Sequence, residues 1–224
     1  MNSPLSHTFI RASALLATAC SVLDTQAAVT TYTSSVSFLA NTTTTNLATF
    51  EGLATGSRGS TLTTNGITIT SLPGGISLHD VYIAPASNVF FGVPNTSAVL
   101  TANGDENFRF QLAAGGTFSA VGFDFYSNPY GAPVFALFDS NAVLIQSISV
   151  PQAVSSLGFI GFTSTTPIAY ITTTVDRGWQ VDTAFDNLRI GGVTAVPEPQ
   201  VGWLLLAGLA ATAGLVRRQA AHTG

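Results

Sequence analysis

From Val29 to Gly192 the chain is a series of short runs in which apolar and polar residues alternate, separated by Gly, Pro, Asn and Asp. In "NFRFQLA" (107–113), Phe108, Phe110 and Leu112 fall on one face of an extended chain and Arg109 and Gln111 on the other. "GITITSL" (66–72) and "FSAVGFDFYS" (118–127) alternate in the same way. "PVFALFDSNAVLIQSISV" (133–150) holds two runs hinged on Asp139-Ser140-Asn141, which predicts a hairpin. "LGFIGFTS", "PIAYITTTV" and "AFDNLRIGG" follow. Period-two patterning with regular turn residues predicts an all-β fold. A helical period shows only in "SSVSFLAN", near Ser34, and the low-complexity "NTTTTNLAT" (41–49) reads as a loop.

Strands of this number and length, some ten to twelve, pair off their edges best as a two-sheet β-sandwich, here over residues 28–194. Fifteen Phe supply much of its core. The Gly-aromatic pairs in "GFDF", "GFIGF" and "VFFG" fit core packing, and fit a carbohydrate-stacking platform if the rings face outward. Tyr126, Tyr130 and Trp179 are the candidate solvent-facing rings.

The two ends break the pattern. Residues 1–27 read as a secretory signal: Arg11, a short apolar core from Ala12 to Val22, and small residues before a cut after Ala27. Cys20, the single cysteine, lies inside that segment, so the mature chain has no thiol for a disulfide or a Cys-based zinc site. Near the other end, Val201 to Val216 carries no charge and is followed by Arg217 and Arg218. As a helix it reaches about 24 Å, short of a bilayer core of about 30 Å. It predicts a marginal transmembrane helix whose arginines stay inside and whose body lies outside.

Charge narrows the function. Only 8% of residues are charged, and all seven basic residues are Arg. Residues 28–194 hold nine acids against four arginines, which argues against nucleic-acid binding. Catalytic patterns are few. His79 precedes Asp80, but neighbours in a strand point to opposite faces. No phosphate-binding loop with Lys exists, because the chain has no Lys. Asp105, Glu106 and Asp124 are the acids a glycan hydrolase would draw on, if two of them faced each other across a sugar.

"ATFEG" (48–52) opens the body and "AFDNLRIGG" (184–192) closes it, which resembles secreted jelly-roll domains of the carbohydrate-binding type. In those domains the first and last strands lie side by side and two acids share a structural Ca²⁺. Carried over, the resemblance implies Glu51 and Asp186 as carboxylate ligands, with Ca²⁺ as the cofactor. Read from the residues alone, they are equally a surface Glu and an Asp-Asn turn cap.

The tail, residues 195–224, resembles the PEP-CTERM sorting domain of Gram-negative bacteria. Its residues here are Val196, Pro197, Glu198 and Pro199, the apolar span 201–216, and Arg217 with Arg218. The same tail is also catalogued as an ice-binding protein C-terminal domain, a label that does not denote an activity. The resemblance implies export across the inner membrane, transient anchoring there, and an exosortase-type membrane protease as partner. It also implies a place at the cell surface or in the extracellular matrix, with exopolysaccharide as an associate. The resulting expectation is a non-catalytic exported protein. The alternatives are a secreted carbohydrate-active hydrolase and a purely structural or adhesive surface protein.

Overall fold

The computed structural model of the chain describes residues 28–75, 79–87, 89–90, 93–127, 133–150, 158–175 and 183–194. Residues 1–27, expected as a secretory signal, and 195–224, which hold every residue of the expected sorting motif, lie outside the described residues, as do Tyr130 and Trp179.

The alternating runs pair into two antiparallel sheets. The larger has eight strands: β1 (Val29–Tyr32), β2 (Thr42–Ala48), β3 (Gly56–Ser57), β6 (Tyr82–Ala84), β9 (Val99–Thr101), β11 (Phe118–Ser127), β14 (Gly158–Ile168) and β16 (Thr183–Val193). Their order is β1-β14-β11-β16-β9-β6-β3, and β2 also pairs with β16. The smaller sheet contains β4 (Thr61–Thr64), β5 (Ile67–Ser71), β10 (Phe108–Leu112), β12 (Pro133–Phe138), β13 (Leu144–Ser149) and β15 (Tyr170–Val175). Its order is β13-β12-β15-β10-β5-β4. A small hairpin joins β7 (Val89–Phe90) to β8 (Val93–Pro94). The all-β, sandwich-like expectation therefore holds. Short strands such as β3, β7 and β8 lift the number above the ten to twelve expected.

The hairpin expected at Asp139-Ser140-Asn141 joins β12 to β13. There the Asp139 carboxylate accepts from the backbone N–H of Asn141 and of Val143. The helical period is α1 (Ser35–Asn41), where the Ser34 hydroxyl caps the Ser37 N–H. The threonine-rich stretch, expected as a loop, is strand β2. It pairs with β16 from Ala48 opposite Leu188 to Thr42 opposite Val193. β-Branched Thr suits an extended backbone, and only the end residues Thr42 and Ala48 are buried, so no apolar alternation marked it.

The inner faces meet through phenylalanine. Phe108, Phe110 and Phe135 of the smaller sheet and Phe123, Phe162 and Phe185 of the larger are fully buried. Phe110 lies 5.2 Å from Phe123, Phe123 lies 5.6 Å from Phe135, and Phe135 lies 5.4 Å from Phe162, centroid to centroid. These separations suit tilted and offset ring pairs, and the contiguous cluster ties both layers together.

The Gly-Phe pairs resolve into two jobs. Phe123 and Phe162 point into the core, while the preceding Gly122 and Gly161 leave hollows on the outer face of the larger sheet. Phe38 of α1 fills them: a Cβ on Gly161 would stand 2.6 Å from its ring. Phe38 in turn packs against Tyr32 and Phe159, so this side of the sheet is closed by a helix. Among the described residues no helix is long and apolar enough to cross a membrane.

Candidate functional site

Beside the helix, the outer face of the larger sheet carries a cluster of carboxylates. β11 and β16 place Asp124 directly opposite Asp186. Like charges in that position repel. The ladder is interrupted here: β16 has one residue more than β11 between Asp186 and Arg189, and Asn187 takes a left-handed φ of 48°. Such a bulge re-aims side chains. It lets the Asn187 amide donate to Asp124 Oδ2 at 2.8 Å, and sets Arg189 Nη1 3.8 Å from the same oxygen.

Asp186 is held from another side. Its Oδ2 accepts from the Ser97 hydroxyl at 2.5 Å and its Oδ1 from the Asn187 N–H at 2.6 Å. The next residue, Ala98, donates its N–H to Glu51 Oε1 at 2.9 Å. Glu51 stands in the turn after β2, where Phe50 at φ 61° is buried in the core while Glu51 stays exposed. The two acids expected to act together therefore grip consecutive residues of one loop, Ser97 and Ala98. Asp186 belongs to β16 and Glu51 to the turn after its neighbour β2, whereas β1, the first strand, pairs with β14.

Hydrogen bonds hold the cluster together against the mutual repulsion of its charges. Burial pushes the Asp186 carboxyl above the ordinary aspartate range, and the nearby Asp124 and Glu51 charges push the same way. The bonds from Ser97 and Asn187 oppose them without cancelling them. Tyr126 is raised as well, by burial first and then by Asp186 and Asp124. Among the described residues, three acids thus share this corner with one guanidinium, that of Arg189.

That imbalance bears on Ca²⁺. Hard oxygen donors and surplus negative charge suit it, and both implied ligands reach the same loop, at Ser97 and Ala98. Side chains alone supply too few ligands: among the described residues no group of three or more His, Cys, Asp or Glu is placed to hold a metal. Backbone carbonyls would have to complete the shell, as the domain resemblance implies. The residues fit such a site in charge and donor type.

Other candidates separate. Tyr126, expected to face solvent, is buried at 6% exposure against Ala84, Val99 and Ala184. It occupies the outer side of β11, but that side has a small apolar cluster of its own. His79 and Asp80 lie in a loop, not a strand. Asp80 is buried and clamps Asn103 through its N–H and side-chain amide, while His79 Nδ1 has no partner among the described residues. Asp105 and Glu106 are buried just before β10, with Asp105 packed against Gly74 beside Asn107. Asp124 instead borders a hollow of about 360 Å³ lined by Thr33, Ser34, Ser35, Gly158 and Phe159. The acids named for a hydrolase therefore sit in different surroundings. Ser97, Asp124 and Asn187 joined the cluster without a sequence signal strong enough to place them there. The Asp186-Asn187 dipeptide, a turn-cap pattern, was the nearest to one.

No family model matches the chain, and no curated protein matches it. Among solved structures it is similar to the enzymatically active domain of tailspike protein 4 of bacteriophage CBA120. That likeness has a TM-score of 0.29 and 16% identity, and covers 69% of this chain and 21% of that one. The chain thus spans about a fifth of that protein's length.

Proposed function

We propose that the chain is an exported, non-catalytic protein of the cell surface or extracellular matrix. It carries a jelly-roll-like ectodomain associated with exopolysaccharide. The leader directs it across the inner membrane. The tail, with Val196 to Pro199, the span 201–216 and Arg217-Arg218, anchors it there until an exosortase-type protease acts. The observation that carries the non-catalytic reading is how the seam acids are used. Both oxygens of Asp186 and one of Asp124 accept hydrogen bonds that fix a loop and a bulge, and Glu51 fixes the same loop. Acids engaged this way act as struts. Glu51 and Asp186 are also the residues that would hold a structural Ca²⁺, whose charge would relieve the repulsion at the seam.

The test is the intact mass and location of the mature protein in cells with and without the sorting protease. The expected result is a protein lacking residues 1–27 and the tail in the first strain, and one retaining Arg217 and Arg218 at the membrane in the second. A tail retained in both strains would reduce it to a plain anchor. Turnover of any glycan by the purified protein would end the non-catalytic reading.

A further inference from the structure

The two sheets are alike inside and unlike outside, and the outer face of the smaller sheet has a pattern of its own. Strand register sets two rows across it. One runs Thr61, Thr70, Arg109, Thr172, Ala136, and the other Thr63, Thr68, Gln111, Tyr170, Phe138. Directly paired residues share a face, and neighbouring strands lie about 4.8 Å apart. A polymer laid along a row therefore meets a hydroxyl, amide or guanidinium at nearly every strand.

Arg109 is the one fully charged residue in these rows. Its guanidinium lies 4.4 Å from the centroid of the Tyr170 ring, and the other neighbouring strand stacks Phe138 on Tyr170 at 4.8 Å and 15°. Tyr170 comes from the strand between them, so both its faces are covered and no sugar ring can stack there. The consequence falls on Arg109. Its position over the ring holds the guanidinium in place, and its Nη donors can grip a carboxylate by two parallel bonds. Among the described residues Arg109 makes no ion pair or hydrogen bond, and its Nε is buried without a partner. By contrast Arg189 is engaged with Asn187 and Asp124.

The geometry points to this face as a binding site for an acidic polysaccharide, with Arg109 taking a sugar carboxylate and the flanking Thr70, Thr172 and Gln111 taking hydroxyls. Charge complementarity selects the acidic polymer over a neutral one. A single cation argues against nucleic acid, whose binding rests on neutralising many phosphates. Tyr170 is a positioning residue, holding Arg109 in place. The inference deepens the exopolysaccharide association proposed above and rests on it.

The experiment titrates the full chain, in mild detergent, with polygalacturonate, with dextran and with inorganic phosphate, at low and raised salt. Polygalacturonate is expected to bind and to weaken as salt rises. Arg109→Gln should lower its affinity about ten-fold or more, the loss of one charge-assisted pair, with only the small drop in thermal midpoint that losing one exposed cation–π contact brings. Tyr170→Phe, which keeps the stack, should bind as wild type, while Tyr170→Leu should weaken binding without changing the charge. Polygalacturonate binding that ignores Arg109→Gln overturns this face and leaves exopolysaccharide association standing. Dextran bound as tightly overturns the acidic preference, and phosphate bound at Arg109 without any polymer overturns the polysaccharide. Binding to neither polymer overturns this inference, and failure to bind the producer's own polymer as well overturns the association on which it rests.

Discussion

Among the described residues, helix α1 and an apolar cluster cover parts of the outer face of the larger sheet, and nothing is packed over the rows of the smaller sheet. On the first, Phe38 fills the hollows over Gly122 and Gly161, and Tyr126, Val99 and Ala84 form a second small core. A carboxylate seam joins them. On the second stand threonines, a glutamine and one stacked arginine. The difference teaches that alternation along a strand specifies only the inner face. What the other face does depends on whether something is packed over it.

The comparison breaks most readily at Phe38. It is 1% exposed, so Phe38→Ala should cost about 3–5 kcal/mol in denaturant unfolding, as for a core ring, although it lies outside the inter-sheet core. The seam comes next. Calcium at about a hundred times its Kd should stabilise the wild type by about 2.7 kcal/mol and leave Asp186→Asn unmoved. Without calcium the pH response has a definite sign. The folded carboxyl of Asp186 is raised above its ordinary value of 3.8, so its stability is fully present below that value. It is lost as pH rises through the raised folded value. The midpoint of the wild type minus that of Asp186→Asn should therefore increase on acidification, and a flat difference would show the seam to be neutral. Overpacking by Gly161→Ala should cost about 1–3 kcal/mol, because Phe38 must shift. Tyr170→Ala on the open face should cost about 1–2 kcal/mol, one ring pair and one cation–π contact. Thr63→Ala, on the same face, should stay within about 0.5 kcal/mol by thermal melt.

Much of the inner face was legible in the sequence. Phe108, Phe110, Phe123 and Phe162 could be placed because each sits on an alternating run, and the β12–β13 turn because Asp139 and Asn141 favour turns. β2 was missed because threonine can occupy either face, and its pairing with β16 is a contact some 140 residues away in sequence. Tyr126 was misplaced because alternation puts it opposite Phe125 without revealing the apolar patch waiting there. At the seam, only resemblance coupled Glu51 to Asp186, and the structure joins them through consecutive loop residues, Ser97 and Ala98. Ser97 and Asp124 could not be placed there, because a one-residue bulge at Asn187 decides which side chains converge, and no local pattern sets it.

β16 is the last described strand, and it is flanked over most of its length by β11 on one edge and by β9 and then β2 on the other. Antiparallel bonds run across the strand axis. A pull on the chain beyond Thr194, directed along β16, would therefore load both rows of bonds in shear together instead of unzipping them one by one. As a point of attachment for a tether, such a strand resists load along most of its length at once.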